Sequence, residues 1–220
     1  MALSQAGGVG TGRLNAARLA ALATVLLLAG CASAPPRDAD NICAVFRQHP
    51  DWYDDAKDAE KRWGTPAHIL MAFVRHESGY RARVRPDRDW FLGIIPLPRE
   101  SSAYGYAQAQ DPAWEEYRKE TGGWFKGRSD MRDALDFVGW YNHKSHEQLG
   151  ISYWDPKRLY IAYHEGRGGY RSGKWRGKKD LLRVADRVDH RAREYGAQLK
   201  RCEDEFKCDG FFGFWPLCRK

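Results

Sequence analysis

The chain has 220 residues, of which 36 are Lys or Arg and 29 are Asp or Glu, for a formal charge of +7. That length supports one domain with a real core. The basic balance suits an anionic polymer, but bases and acids are interspersed throughout, the pattern of a solvated surface, and this argues against nucleic acid as the partner.

The N-terminus carries Arg13 and Arg18, an apolar run over residues 19–28, and then Leu28-Ala29-Gly30-Cys31. The run is too short to cross a bilayer as a mature helix. The pattern resembles a bacterial lipoprotein signal, which implies removal of residues 1–30 and a lipid on Cys31. Ala32 follows where an inner-membrane retention signal would have Asp, so the resemblance implies an outer-membrane anchor facing the periplasm. An ordinary signal peptide with a chance cysteine is the alternative. Loss of Arg13 and Arg18 takes the charge from +7 to +5. Residues 31–40, with Pro35-Pro36, read as a lipidated tether, and residues 41–220 as the domain.

Cys43, Cys202, Cys208 and Cys218 then remain, an even number in an oxidising compartment, and two disulfides are expected. Three pairings are possible. Cys43 with Cys202 and Cys208 with Cys218 is favoured because the second pair closes a short loop. No Cys-x-x-Cys is present, which weakens a zinc site.

Residues 42–46 and 52–63 predict short helices. Thr65-Pro66-Ala67 then reads as a helix start, with Thr65 as N-cap, and Gly79 as its stop. Ile69, Leu70, Phe73 and Val74 recur at helical spacing, and Glu77 extends the same apolar stripe. A carboxyl there is desolvated and near the negative end of the helix dipole, and both effects keep it protonated. That suits a proton donor; exposure in the last turn is the alternative. Residues 81–102, with three prolines, predict a long loop or small hairpin, whose apolar run from Trp90 to Ile95 either tucks into the core or forms a binding surface. Further helices are predicted from Asp111-Pro112 to Gly122-Gly123, from a Ser129 cap to Leu149-Gly150, from Asp155-Pro156 to near Gly166, and from Asp180 through Leu199. The class is mainly α, with a small irregular or β-hairpin region.

Three segments occur in order: Glu77-Ser78-Gly79-Tyr80, Ala103-Tyr104-Gly105-Tyr106-Ala107-Gln108, and Ala162-Tyr163-His164-Glu165-Gly166. Together they resemble the lysozyme-like lytic transglycosylases of the soluble-transglycosylase (SLT) type, over roughly residues 65 to 170. The resemblance implies a goose-type lysozyme/SLT fold and action on peptidoglycan glycan strands. It implies that Glu77 is the sole catalytic acid/base and that Ser78 steadies the substrate. Gly105 and Gln108 would line the glycan cleft, and the hydroxyl of Tyr163 would lie near the acid. Tyr106 and Ala107 stand where Leu-Met is usual, and His164 where Asn is usual. The longer spacing from Glu77 to Gly105 implies an inserted loop at residues 83–102.

Glycosidases ordinarily use two carboxylates, and no well-placed partner for Glu77 is evident: Asp87 and Asp89 fall in the long loop, and Asp111 reads as a helix cap. Glu165 is the strongest candidate auxiliary acid. Tyr104, Tyr106, Trp140, Tyr141 and Tyr163 are candidate sugar-stacking or core aromatics. No metal or other cofactor is expected, since neither His76-Glu77 nor His146-Glu147 continues to His-Glu-x-x-His. His143 and His146 share a helix face, which suits a metal or plain solvation. The expected partners are glycan strands, the membrane through the lipid on Cys31, and an unidentified envelope complex. A hydrolytic muramidase and a non-catalytic glycan-binding lipoprotein are the rival functions.

Overall fold

The computed structural model describes residues 34–88, 90–91, 95–96, 98–99 and 101–207. The signal segment, Cys31, Cys208 and Cys218 lie outside these residues.

Local signals set most element ends. Asn41 caps α1 (Ile42–Gln48), its side chain accepting the N–H groups of Cys43 and Ala44. α2 (Asp51–Trp63) ends at Gly64 and α3 (Ala67–Ser78) at Gly79, both in the left-handed region. Thr65 does not cap α3. The N–H of Ala67 instead donates to the Glu60 carboxylate of α2 at 3.0 Å, and Thr65 is fully buried. The long loop does form a hairpin, in which β1 (Trp90–Phe91) pairs antiparallel with β2 (Ile95–Pro96) in the register Trp90 to Pro96 and Phe91 to Ile95.

α4 (Asp111–Thr121) follows Gln110 as N-cap, so Asp111 is its first residue and not its cap; Asp111 pairs with Arg128 at 2.7 Å. α5 (Met131–Leu149) is capped by Asp130, not Ser129, since Oδ1 of Asp130 accepts the Asp133 N–H at 3.1 Å. α6 (Pro156–Ser172) is capped by Asp155 as expected, breaks at Gly166 (φ 74°, ψ 156°), and resumes. α7 (Lys179–Cys202) begins one residue before Asp180 and buries Leu181, Ala185, Val188, Ala192, Tyr195, Leu199 and Cys202. Those positions step alternately by four and three residues, which draws one stripe along the helix.

α3 is apolar on nearly every face, and a helix of that kind has to be enclosed. α2, α5 and α7 pack on it, while α6 lies against α5 and α7, α1 against α2 and α7, and α4 against α5. The fold is mainly helical, as the sequence predicts. The Cys43–Cys202 disulfide is present and joins α1 to the end of α7 across 159 positions of sequence. In the chain-entropy picture, closing so long a loop stabilises the fold by about 5 kcal/mol.

The expected tether is part of the folded body from Pro35 onward. Pro36 is buried, and the Arg37 N–H donates to Gln48 Oε1 at 3.0 Å. The Tyr195 hydroxyl donates to the Ala39 carbonyl, and Asp40 bridges Arg75 at 2.9 Å and Arg191 at 3.1 Å. These contacts turn residues 35–40 into a strap lying on α3 and α7.

One buried carboxylate joins four elements. Asp136 of α5 accepts from Trp63 Nε1 of α2 and from the Tyr117 hydroxyl of α4, both at 2.6 Å, and pairs with Lys126 of the following loop at 2.6 Å. Burial pushes its pKa up, but the bonds from Lys126, Tyr117 and Trp63 outweigh burial and hold it below the ordinary value. Its contribution is therefore complete above the unfolded carboxylate range and is lost as pH falls through the depressed folded value. Asp136→Asn leaves the half-buried Lys126 without its counter-charge. Denaturant titration at pH 7 is expected to show a loss of about 3 kcal/mol, shrinking as the pH is lowered.

Candidate active site

The acid position follows from the way α3 ends. Gly79 (φ 60°) and then Tyr80 (φ 62°) both adopt the left-handed conformation, turning the chain away directly after the last helical residues. For a bulky side chain this conformation is strained. Tyr80 is held there by complete burial, with its hydroxyl 3.1 Å from both the Met71 carbonyl and the Tyr195 hydroxyl. Glu77 is thus fixed in the last turn of a buried helix.

Glu77 keeps some surface access, but its carboxyl is desolvated, and burial pushes its pKa up from 4.5 to about 7. The opposing influence is the Tyr160 hydroxyl of α6, which favours the carboxylate. Among the described residues no other carboxylate perturbs it. The Tyr160 phenol is held well above its ordinary value, by burial first and then by the charge of Glu77. The His76 ring meets Tyr160 edge-on at 5.2 Å, and burial together with Arg187, Arg75 and His164 pushes its pKa down.

Tyr163 packs edge-on against Phe73, one turn before Glu77 on α3, at 5.6 Å, and Glu77 is among the charges that raise its pKa after burial. Its hydroxyl, however, donates to the Ala107 carbonyl at 2.5 Å. The phenol that favours the carboxylate form of the acid is that of Tyr160, one turn earlier on the same helix. That residue was missed in the sequence, although the i, i+3 spacing of Tyr160 and Tyr163 puts two phenols on one face.

The other predicted substrate residues mostly shape the backbone. Ser78 is 1 % exposed, and its hydroxyl donates to the Val74 carbonyl at 3.2 Å, so it presents no free group to a ligand. Gly105 (φ 81°) passes so close to the Arg128 carbonyl that a Cβ would lie 1.9 Å from it. The Gln108 side-chain amide donates to the carbonyls of Gly105 at 2.8 Å and Val84 at 3.1 Å. Tyr106 is buried edge-on against Trp52 and is a core residue, not a sugar platform. Tyr104 lies under the guanidinium of Arg85 at 4.4 Å, with that of Arg128 at 5.7 Å. Trp140 and Tyr141 are also core.

Glu165 is not an auxiliary acid. Lys178 grips both of its oxygens at 2.8 and 2.7 Å and holds its pKa below the ordinary carboxylate value. His164 is exposed, with its ring 6.3 Å from that of Tyr160. It borders a cavity of about 690 Å³ lined also by Glu165, Lys178, Lys179 and Leu181, in which Glu77 takes no part. His143 and His146 are engaged with the Tyr153 hydroxyl at 2.7 Å and the Ile151 carbonyl at 2.8 Å. No cluster of three metal-ligating side chains occurs among the described residues.

A family model described as a transglycosylase SLT domain matches residues 19–202. This is most of the chain, and the chain belongs to that family. Comparison with curated proteins and with solved structures found no match.

The Tyr160 hydroxyl lowers the pKa of Glu77, so Tyr160→Phe removes support for the carboxylate and leaves its desolvation in place. A carbon-13 NMR titration of the Glu77 carboxyl is expected to move from about 7 in the wild type to a higher value in the variant. An unchanged or lower value would refute the pairing.

Proposed function

We propose that this member of the transglycosylase SLT family is a lytic transglycosylase. It cleaves the β-1,4 bond between N-acetylmuramic acid and N-acetylglucosamine of peptidoglycan, with Glu77 as its only acid/base. The observation that carries this reading is a single buried carboxyl whose pKa is raised to about 7, with no second carboxylate among the described residues acting on it. Two-carboxylate glycosidases divide the work between an acid and a nucleophile or base. Here one group serves in turn as donor and acceptor, and a pKa near the working pH suits both duties.

In the first step the protonated Glu77 gives its proton to the glycosidic oxygen, and the bond from that oxygen to C1 of the muramic residue breaks. The substrate's acetamido group stabilises the electron-poor C1. In the second step the Glu77 carboxylate takes the proton of the C6 hydroxyl as O6 bonds to C1. The product is a 1,6-anhydro end, Glu77 is protonated again, and no water is consumed. The Tyr160 hydroxyl favours the carboxylate between the two steps. The donor form predominates below about pH 7 and is lost as pH rises through that value.

For location, we propose a lipid on Cys31 and an outer-membrane anchor facing the periplasm, where the glycan lies. The Cys43–Cys202 disulfide supports an oxidising compartment.

Glu77→Gln is expected to abolish solubilisation of purified peptidoglycan while keeping the wild-type circular dichroism spectrum; full activity in that variant would sink the assignment. Mass spectrometry of wild-type digests should show anhydro-muramic ends, whereas reducing ends would make the protein a hydrolytic muramidase. Cys31→Ala is expected to move the protein from the membrane fraction to the soluble fraction, and unaltered fractionation would count against the lipid.

A further inference from the structure

Two large aromatic side chains stand next to each other in water between α4 and α5. Trp124 is 63 % exposed and Phe125 fully exposed. Burying rings of this size is worth roughly 2 kcal/mol each, so an exposed pair on a well-held loop calls for an explanation.

The loop is well held. Gly122 turns it in the left-handed conformation at φ 69°. Arg118 donates to the Trp124 carbonyl at 2.7 Å, and its guanidinium sits 5.4 Å from the Trp124 ring centre. Lys126 reaches inward to Asp136 at 2.6 Å, and the Gly127 N–H donates to Asp133 at 2.8 Å. The base of the loop is tied into the interior while its tip projects the two rings.

The same loop is bonded to the segment of residues 102–109. The Arg128 carbonyl accepts the Tyr106 N–H at 3.0 Å, and the Arg128 guanidinium donates to the Ala109 carbonyl at 2.8 Å and the Ser102 carbonyl at 3.1 Å. The contact is so close that Gly105 has no room for a Cβ. On its other side the segment is tied by Tyr163, which bonds the Ala107 carbonyl and packs edge-on at 5.6 Å against Phe73 of α3. An unbroken chain of contacts therefore ties the aromatic tip to the helix that carries Glu77.

We propose that Trp124 and Phe125 form a stacking platform for sugar rings of the glycan strand, outside the pair of sugars joined by the bond that is cut. The proposal rests on the reading that the substrate is a glycan. A polymer runs on past the bond being cleaved. The C–H faces of its hexose rings stack on flat aromatic surfaces, which have to be open to water beforehand and rigidly mounted. A membrane-inserting loop would surround its aromatic tip with unpaired bases. Here Arg118, Lys126 and Arg128 are each paired, with Glu115, Asp136 and Asp111.

Binding is best measured without turnover, on the full chain carrying Glu77→Gln, by co-sedimentation with purified peptidoglycan sacculi. Adding Trp124→Ala and Phe125→Ala is expected to weaken sacculus binding about tenfold, equivalent to about 1.4 kcal/mol, with the thermal midpoint unchanged. Trp154→Ala, which removes another exposed ring (71 %) elsewhere, is expected to leave binding as it was. Unchanged binding in the double variant, or an equal loss with Trp154→Ala, overturns the proposal. So does a loss confined to flotation with anionic phospholipid vesicles. Should the Glu77→Gln background still cleave glycan, the catalytic assignment fails, while the binding comparison, made on intact strands in the cold, still stands or falls separately.

Discussion

Keeping an ionisable carboxyl out of water is the constraint around which this fold is arranged. Raising the pKa of Glu77 from 4.5 to about 7 costs the folded state about 3 kcal/mol at neutral pH and above. The sign follows from the unfolded chain, which releases that proton near pH 4.5 while the native protein retains it. The penalty therefore grows between those two values and is absent in acid. It is offset by the enclosure of α3, by the long loop closed between Cys43 and Cys202, and by the Asp136 cluster. The strained Tyr80 belongs to the same arrangement: a second left-handed residue is tolerated because its ring is fully buried and its hydroxyl has partners.

Much of this was legible in the sequence because burial leaves a periodic trace. The stripe on α7, the apolar run before Glu77 and the glycine stops of α3 to α5 each predict what the structure contains. The pairing of Cys43 with Cys202 agrees as well. What could not be read was the direction in which polar groups are turned. Glu60 reaches from one helix to cap the next, displacing Thr65 from that role, because a cap need not come from the adjacent residue. Asp136 reads as one polar residue in an amphipathic helix, yet three neighbouring elements converge on it. Tyr160 and Tyr163 share a helix face, and the sequence does not tell that it is Tyr163 that holds a backbone carbonyl and Tyr160 that bears on the acid's pKa.

The motif around Gly105 shows how residues matched by resemblance can act at one remove. Gly105 permits a close approach, Gln108 ties its own turn, and Tyr163 pins Ala107. All three act by fixing backbone. The departure at Tyr106 falls in the same segment at a position that faces the core.

The docked strap at residues 35–40 has a consequence for reach. With the lipid proposed at Cys31, only four residue steps separate the anchor from Pro35, where the folded body begins, and even fully extended they span at most about 14 Å. A protein so moored would work the layer of glycan nearest that membrane. Because Asp40 at the end of the strap grips Arg75 in the last turns of α3, such a mooring line would end on the helix that carries Glu77.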